Sequence, residues 1–270
     1  MSKRKFWTVG QIDATSVRGP HEKELDDISH VKHALFINLD INILKDIVYN
    51  DLGGIIENIG FSEDWTISVE MFPEVNIHLT FSYFGDEFGD GVKAEFKFYF
   101  SGNRVFWIPG EDSATYIDIV MDFIERKIKG IEPFEKNYQI KTELMENVLK
   151  QRTEPFKFLK ETDKERLTTF LGAKVWKEEK KWHIKKEFFP DIYIELIWDA
   201  LDGLDIKFSG NNLVRNIDSY HIELVGIFFL NHILRFITVN NKDKELPDIC
   251  YIMFSRYYTK NIGKWDHRVR

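Results

Sequence analysis

Four kinds of residue in this chain have types and spacings that could do chemistry. Paired acidic stretches come first: Gly85-Asp86-Glu87-Phe88-Gly89-Asp90-Gly91, and Asp199-Ala200-Leu201-Asp202-Gly203 with Asp205 close behind. Asp86, Asp90, Asp199 and Asp202 offer oxygen ligands that suit a divalent cation. Neither stretch has the spacing of a twelve-residue calcium loop, and Asp-Gly before an alternating run is equally the signal of a hairpin turn. His30 and His33, beside Glu24, Asp26 and Asp27, have a His-x-x-His spacing that can put two imidazoles on one side of a helix, but the metalloprotease glutamate is missing. Glu70, His78 and Lys97 alternate with apolar residues, as do Glu187 and Glu195, so all five belong to polar strand faces that suit a binding platform. Last, Arg256, Tyr258, Lys260 and Trp265 interleave bases with aromatics near the C-terminus, a pattern that can touch phosphates and stack on bases.

No Gly-x-Ser-x-Gly, Walker-type or Gly-x-Gly-x-x-Gly sequence is present, and no cofactor is implied. The single cysteine, Cys250, excludes an intramolecular disulfide and any multi-cysteine metal site, which fits a reducing, cytoplasmic setting. The net charge of −7 disfavours nucleic-acid binding by bulk charge. No apolar stretch follows the basic MSKRKFWTVG, so no secretory leader is expected. Residues 222–239 are apolar enough to suggest a membrane span, but Glu223, Asn231, His232 and Arg235 interrupt them, and a buried helix is the expectation.

The elements that must position these residues occur twice. WTISVEMFPEVNIHLTF (65–81) and WHIKKEFFPDIYIELIW (182–198) align without a gap, with 7 of 17 positions identical. Phe100-Ser101-Gly102-Asn103 recurs as Phe208-Ser209-Gly210-Asn211, and Ile59-Gly60 is matched to Leu171-Gly172. Self-similarity at this period is a fold-level signal, and two copies mean two similar units rather than a solenoid.

Apolar spacing predicts helices over 42–58 (capped by Asn38 or Asp40, with Gly60 closing it), 114–128 (capped by Asp112 or Ser113), 143–152, 160–171, 218–238 and 247–258. Period-two alternation predicts strands at 65–71, 75–82, 96–100 and 105–108 in the first copy. The second copy has them at 174–178, 182–189, 192–198 and 204–209, with a short one over 213–215.

The expected fold class is α+β: two tandem pseudo-repeats, each a helix, about four antiparallel strands and a helix, packed through the helices. The expected boundaries are an irregular N-terminal arm at 1–35, a first repeat at 36–130, a connection at 131–141, a second repeat at 142–240, and a C-terminal helix with basic tail at 241–270. The helix near 222–238 is apolar almost all round, so it needs cover on every side. Ile227, Phe228, Leu230, His232 and Leu234 on it are expected to face the other repeat or a partner.

Phe170-Leu171-Gly172, then Phe189-Pro190-x-Ile192-x-Ile194-x-Leu196-x-Trp198, then Ile206-x-Phe208 and an apolar closing helix, resemble the C-terminal half of an uncharacterised prokaryotic domain family common in anaerobes. The resemblance covers about residues 165–236 and, more faintly, 55–128. It departs in carrying the half twice and in lacking a second cysteine, and it implies a fold and no reaction.

The leading functional expectation is a non-enzymatic binding or assembly module that engages another protein, or a second copy of itself as a homodimer. The alternatives are a nucleic-acid or nucleotide binder using the polar sheet face and basic tail, and a metal-dependent hydrolase using the acidic loops. No membrane partner is expected.

Overall fold

In a computed structural model that describes residues 4–85, 92–132, 138, 140–213 and 217–263, the chain divides into two units, Met1–Ile131 and Glu132–Arg270. Each unit is α+β and carries one four-stranded antiparallel sheet whose strands follow chain order.

The first sheet comprises β1 (Ile55–Glu57), β2 (Trp65–Phe72), β3 (Val75–Tyr83) and β4 (Ala94–Ser101). One face buries Ile67, Val69, Ile77, Leu79, Phe98 and Phe100. Helix α4 (Gly110–Lys129) closes that side with Tyr116, Ile117, Val120, Met121 and Ile124, all buried. Before the sheet come α1 (Val9–Ile12), α2 (Pro20–Lys32) and α3 (Ile41–Asp46).

The N-terminal 35 residues are therefore not an irregular arm. Thr8 and Gln11 form a reciprocal cap on α1, and Pro20 opens α2, where its missing N–H costs nothing. Lys32 of α2 forms ion pairs with Asp122 and Glu125 of α4. Only Leu25, Ile28 and Ser29 of α2 are buried, so the helix carries little apolar periodicity to read.

Two further expectations for the first unit change. The helix expected over 42–58, capped by Asp40 as anticipated, ends in a π turn at Ile47–Asp51, and Ile55–Glu57 is the edge strand β1. Gly53 lies at φ +66°, and at Gly54 the β2 backbone at Ser68 leaves no space for a Cβ, so the chain turns there into the sheet. The proper partner of Leu171-Gly172 is thus Leu52-Gly53 rather than Ile59-Gly60, since Ile55 pairs with Ser68 as Lys174 pairs with Lys185. Residues Val105–Trp107 form a 3₁₀ turn instead of a fourth strand. Asp112 and Ser113 sit inside the first turn of α4, whose N-cap is Pro109.

The second sheet comprises β5 (Lys174–Glu178), β6 (Lys181–Phe189), β7 (Ile192–Asp199) and β8 (Gly203–Ser209). Helices α5 (Glu143–Arg152), α6 (Lys164–Leu171) and α7 (Ser219–Asn240) cover it, followed by α8 (Ile249–Ile252) and α9 (Arg256–Tyr258). The single helix expected over 247–258 is thus broken in two, and most of the strand expected at 213–215 lies outside the described residues.

Helix α7 is long and apolar enough to cross a membrane, yet 89% of its most apolar window is buried within the protein. Glu223, His232 and Arg235 on it each make a contact inside the second unit. Glu223 accepts from the Thr142 N–H (2.9 Å) and Oγ1 (2.6 Å), His232 stacks on Phe170, and Arg235 Nε donates to the Met253 carbonyl at 2.6 Å. Ile227, Phe228, Leu230, His232 and Leu234 are all buried. The cover that this helix needs is supplied by α5, α6, α8 and the sheet, where Phe229 meets Phe188 edge-on, so these five residues are core and not a surface for a partner.

Cys250 is fully buried on α8, and burial pushes its thiol up to about 11. Compared with the ordinary value of 9.0, that lowers the thiolate fraction at pH 8 by about a hundredfold. Cys250 should therefore resist a colorimetric disulfide reagent in the native protein and react fully in denaturant. Rapid native labelling would show that α8 does not hold against α7.

Candidate functional site

The two sheets present equivalent polar faces, opposite their helices, and treat them differently. In the first sheet the register brings Ser68, His78 and, through Tyr99 beside it, Ser101 together on one face. His78 is 1% exposed. Its Nδ1 lies 2.6 Å from Ser68 Oγ and its Nε2 lies 2.8 Å from Ser101 Oγ. Ser68 Oγ also donates to Glu57 Oε1 at 2.7 Å, and Arg4 reaches the same oxygen at 2.6 Å. Burial raises the Glu57 carboxyl, but the hydrogen bonds from Arg4 and Ser68 outweigh it and hold the group below its ordinary value. Burial, helped by the Arg4 charge and opposed by Glu57, lowers His78 to about 4.

These states fix the direction of the chain of hydrogen bonds. Glu57 as a carboxylate only accepts, so Ser68 gives it the hydroxyl proton and accepts from His78 Nδ1–H, leaving Nε2 to accept from Ser101. A hydroxyl beside a neutral imidazole is half of a nucleophile–base pair. Access is lacking: Ser101 is buried, and the small cavity of about 250 Å³ at this face is lined by Arg4, Glu57, Ser68, Glu70, Asn76 and His78 but not by Ser101. The chain's own Phe6 lies edge-on to His78 at 5.1 Å, and Phe61 stacks on Tyr99 at 4.5 Å. Glu63 accepts from the backbone N–H groups of Ile59, Gly60 and Phe61 and fixes that covering loop. His78 is therefore not on an open platform as the alternation suggested. Glu70 is exposed at the cavity rim, and Lys97 is exposed and pairs with Glu95.

On the second sheet no aromatic ring of the described residues lies across the matching face as Phe6 does on the first. Trp176 stacks on His183 at 4.9 Å, and His183 Nδ1 lies 2.8 Å from Glu195. Lys185 Nζ sits 4.7 Å over the Tyr193 ring. Lys174, Glu187, Lys207 and Ser209 are exposed around them. The cross-strand row Lys174, Lys185, Glu195, Lys207 alternates little and holds three cations to one carboxylate. Glu187 and Glu195 were legible as members of this face. Trp176, His183, Lys185 and Tyr193 were not singled out, although strand alternation puts them beside those two.

Elsewhere the expected chemistry thins out. Asp199 accepts from the N–H groups of Leu201 and Asp202, which lowers its carboxyl, and Asp202 pairs with Lys181, so this acidic stretch is a hairpin turn. Asp86 and Asp90 lie outside the described residues, as does Trp265. Among the described residues no group of three His, Cys, Asp or Glu is placed to hold a metal. His33 Nδ1 lies 3.1 Å from the Ser29 carbonyl, and its ring centroid is 6.1 Å from that of His30. Tyr258 is buried and stacked on Phe254 at 4.6 Å, so it has no free face for a base, while Arg256 and Lys260 are exposed.

No protein-family model, curated protein or solved structure matches the chain significantly.

Proposed function

We propose that this chain is a non-enzymatic binding module for another protein, and that the open face of the second sheet is where it docks. One observation carries the reading. The same fold is built twice, and the face that the first unit closes with its own Phe6 and Phe61 is left by the second unit as an array of aromatic and charged side chains. Trp and Tyr within a charged rim are the composition that concentrates binding energy in protein interfaces. The first unit offers a precedent that supports this reading: the segment before Trp7 lays the Phe6 ring edge-on to His78 on its own face. The single free, buried Cys250 agrees with a reducing cytoplasmic setting.

A nucleic-acid strand is the second reading, favoured by Lys174, Lys185 and Lys207 around Trp176 and Tyr193 and opposed by the net charge of −7. The test is the solution mass of the full chain purified from its native cells, by light scattering, at low salt and in about 0.5 M salt. A protein partner or second copy should raise the mass above 32.1 kDa, and a Trp176→Glu, Tyr193→Lys variant should return it to monomer with an unchanged melting temperature. A wild-type monomer in both buffers would overturn the reading. Absorbance at 260 nm that is lost in salt would replace it with the second.

A further inference from the structure

A second cavity of the first unit, about 550 Å³, lies along the outer edge of β4. Its floor is the strand from Phe96 to Tyr99, and its walls are Thr8–Gln11, the loop Thr15–Arg18, and Glu22, Leu25 and Asp26 of α2. Strand geometry decides what the floor presents. Phe100 exchanges both backbone hydrogen bonds with Trp7 on the outer side, at 2.8 and 2.9 Å, and Phe96 N–H donates outward to Ser29 Oγ at 2.8 Å. In an antiparallel ladder the outward groups recur every second residue, so the N–H and C=O of Phe98 point outward between them. Phe98 is 8% exposed, and among the described residues nothing bonds to those two groups. Main-chain groups left unpaired on an edge strand and facing an open cavity are a ready template for an added strand.

The reason that this edge is open is local. Residues before Trp7 run antiparallel to β4, and continuing that run would bring residue 9 opposite Phe98. Thr8 instead caps α1 and turns the chain away. The second unit closes the corresponding position by different means: Ile206, the counterpart of Phe98, donates its N–H to the Asp205 carboxylate at 2.9 Å. The first unit has Lys97 where the second has Asp205, and a lysine cannot accept.

We infer that this cavity is a peptide-docking site, in which an extended segment of another protein adds to the edge of β4 and exchanges both main-chain hydrogen bonds with Phe98. The site is separate from the open face of the second sheet, and it rests on the protein-binding reading only for the class of its ligand. The gap between Phe96 and Phe100 spans about 13 Å at roughly 3.3 Å per residue, room for about three extended residues in line with Trp7. The residue opposite Phe98 sends its side chain to the helix side of the sheet, towards Leu25, and is therefore apolar.

A displayed library of random heptapeptides panned on the full chain, followed by anisotropy of the enriched peptides, tests this. Lys97→Asp supplies the carboxylate that the second unit uses and should weaken binding about tenfold or more, whereas Lys97→Ala should leave it unchanged. In the wild type, exchange of the Phe98 amide should slow when the peptide is bound. If Lys97→Asp lowers the melting temperature, the wild-type Phe98 amide decides alone. A library that yields no binder, or binders equally tight on Lys97→Asp with no protection at Phe98, would overturn the site. Binders lost instead on the Trp176→Glu, Tyr193→Lys variant would assign peptide capture to the second sheet and leave the protein-binding reading standing.

Discussion

Gly210→Ala should destabilise the second unit by roughly 2–4 kcal/mol, and Gly102→Ala should do the same in the first. Gly210 sits at φ +123°, where a side chain is strained in any surroundings. A Cβ there would also lie 1.9 Å from the Asp191 carbonyl oxygen, and at Gly102 the matching distance to Glu74 is 2.0 Å. Both targets are main-chain atoms of the tight turn between the central strands, and they cannot step aside as a long side chain would. Glu74 and Asp191 are themselves at positive φ, 65° and 57°, so each turn is held in a strained form by the segment that packs on it. Asn103 Nδ2 bonds Glu74 Oε1, and Asn211 N–H bonds Asp191 Oδ2. Urea denaturation followed by circular dichroism measures the cost, and a loss below about 1 kcal/mol in both variants would mean that the turn relaxes freely.

That contact explains why the duplication was readable. Phe-Pro-Glu/Asp and Phe-Ser-Gly-Asn lie far apart in sequence and are the two sides of one structural joint, so the residues repeated most faithfully are those with the least freedom to change. Both copies even carry the same register shift, between Glu70 and Phe72 and between Glu187 and Phe189. Strand alternation gave the second sheet almost to the residue. It failed at β1, where Ile55 and Ile56 continue an apolar helical spacing through Gly53-Gly54, and spacing alone does not register a backbone that must leave its helix.

The N-terminal helices were hidden for the opposite reason: caps and ion pairs hold α1 and α2, with few buried apolar residues. Helix α7 shows a third limit. Its all-round apolarity correctly demanded cover, but the sequence does not say that α8, which follows it, supplies part of that cover. The polar faces were legible as faces. Which of them is closed depends on where Phe6 and Phe61 land, and no local pattern contains that.

His78 should give the protein an acid-sensitive stability that a neutral replacement removes. Its folded value, about 4, lies below the ordinary 6.5, so folding favours the neutral ring. The sign follows: stability is complete above pH 6.5 and is lost as pH falls through the window from 6.5 to about 4, where the unfolded chain takes up a proton that the folded one refuses. That separation sets an upper bound of roughly 3 kcal/mol for the total loss. The groups facing the ring are Ser68, Ser101, Glu57, Arg4 and the edge of Phe6. Glu57 cannot rescue a protonated His78, because its carboxylate is 3.9 Å away and already engaged by Arg4 and Ser68.

His78→Gln keeps a neutral donor and acceptor near the two serines. It should cost about 1–3 kcal/mol at neutral pH through imperfect packing and hydrogen bonding, yet lose less stability on acidification. Urea midpoints of wild type and variant between about pH 7 and pH 4.5 should converge as the pH falls. Parallel curves would show that the ring protonates as easily in the folded protein as in the unfolded chain. The lid of Phe6 and its neighbours would then open readily, and the first sheet's polar face would be as accessible as the second's.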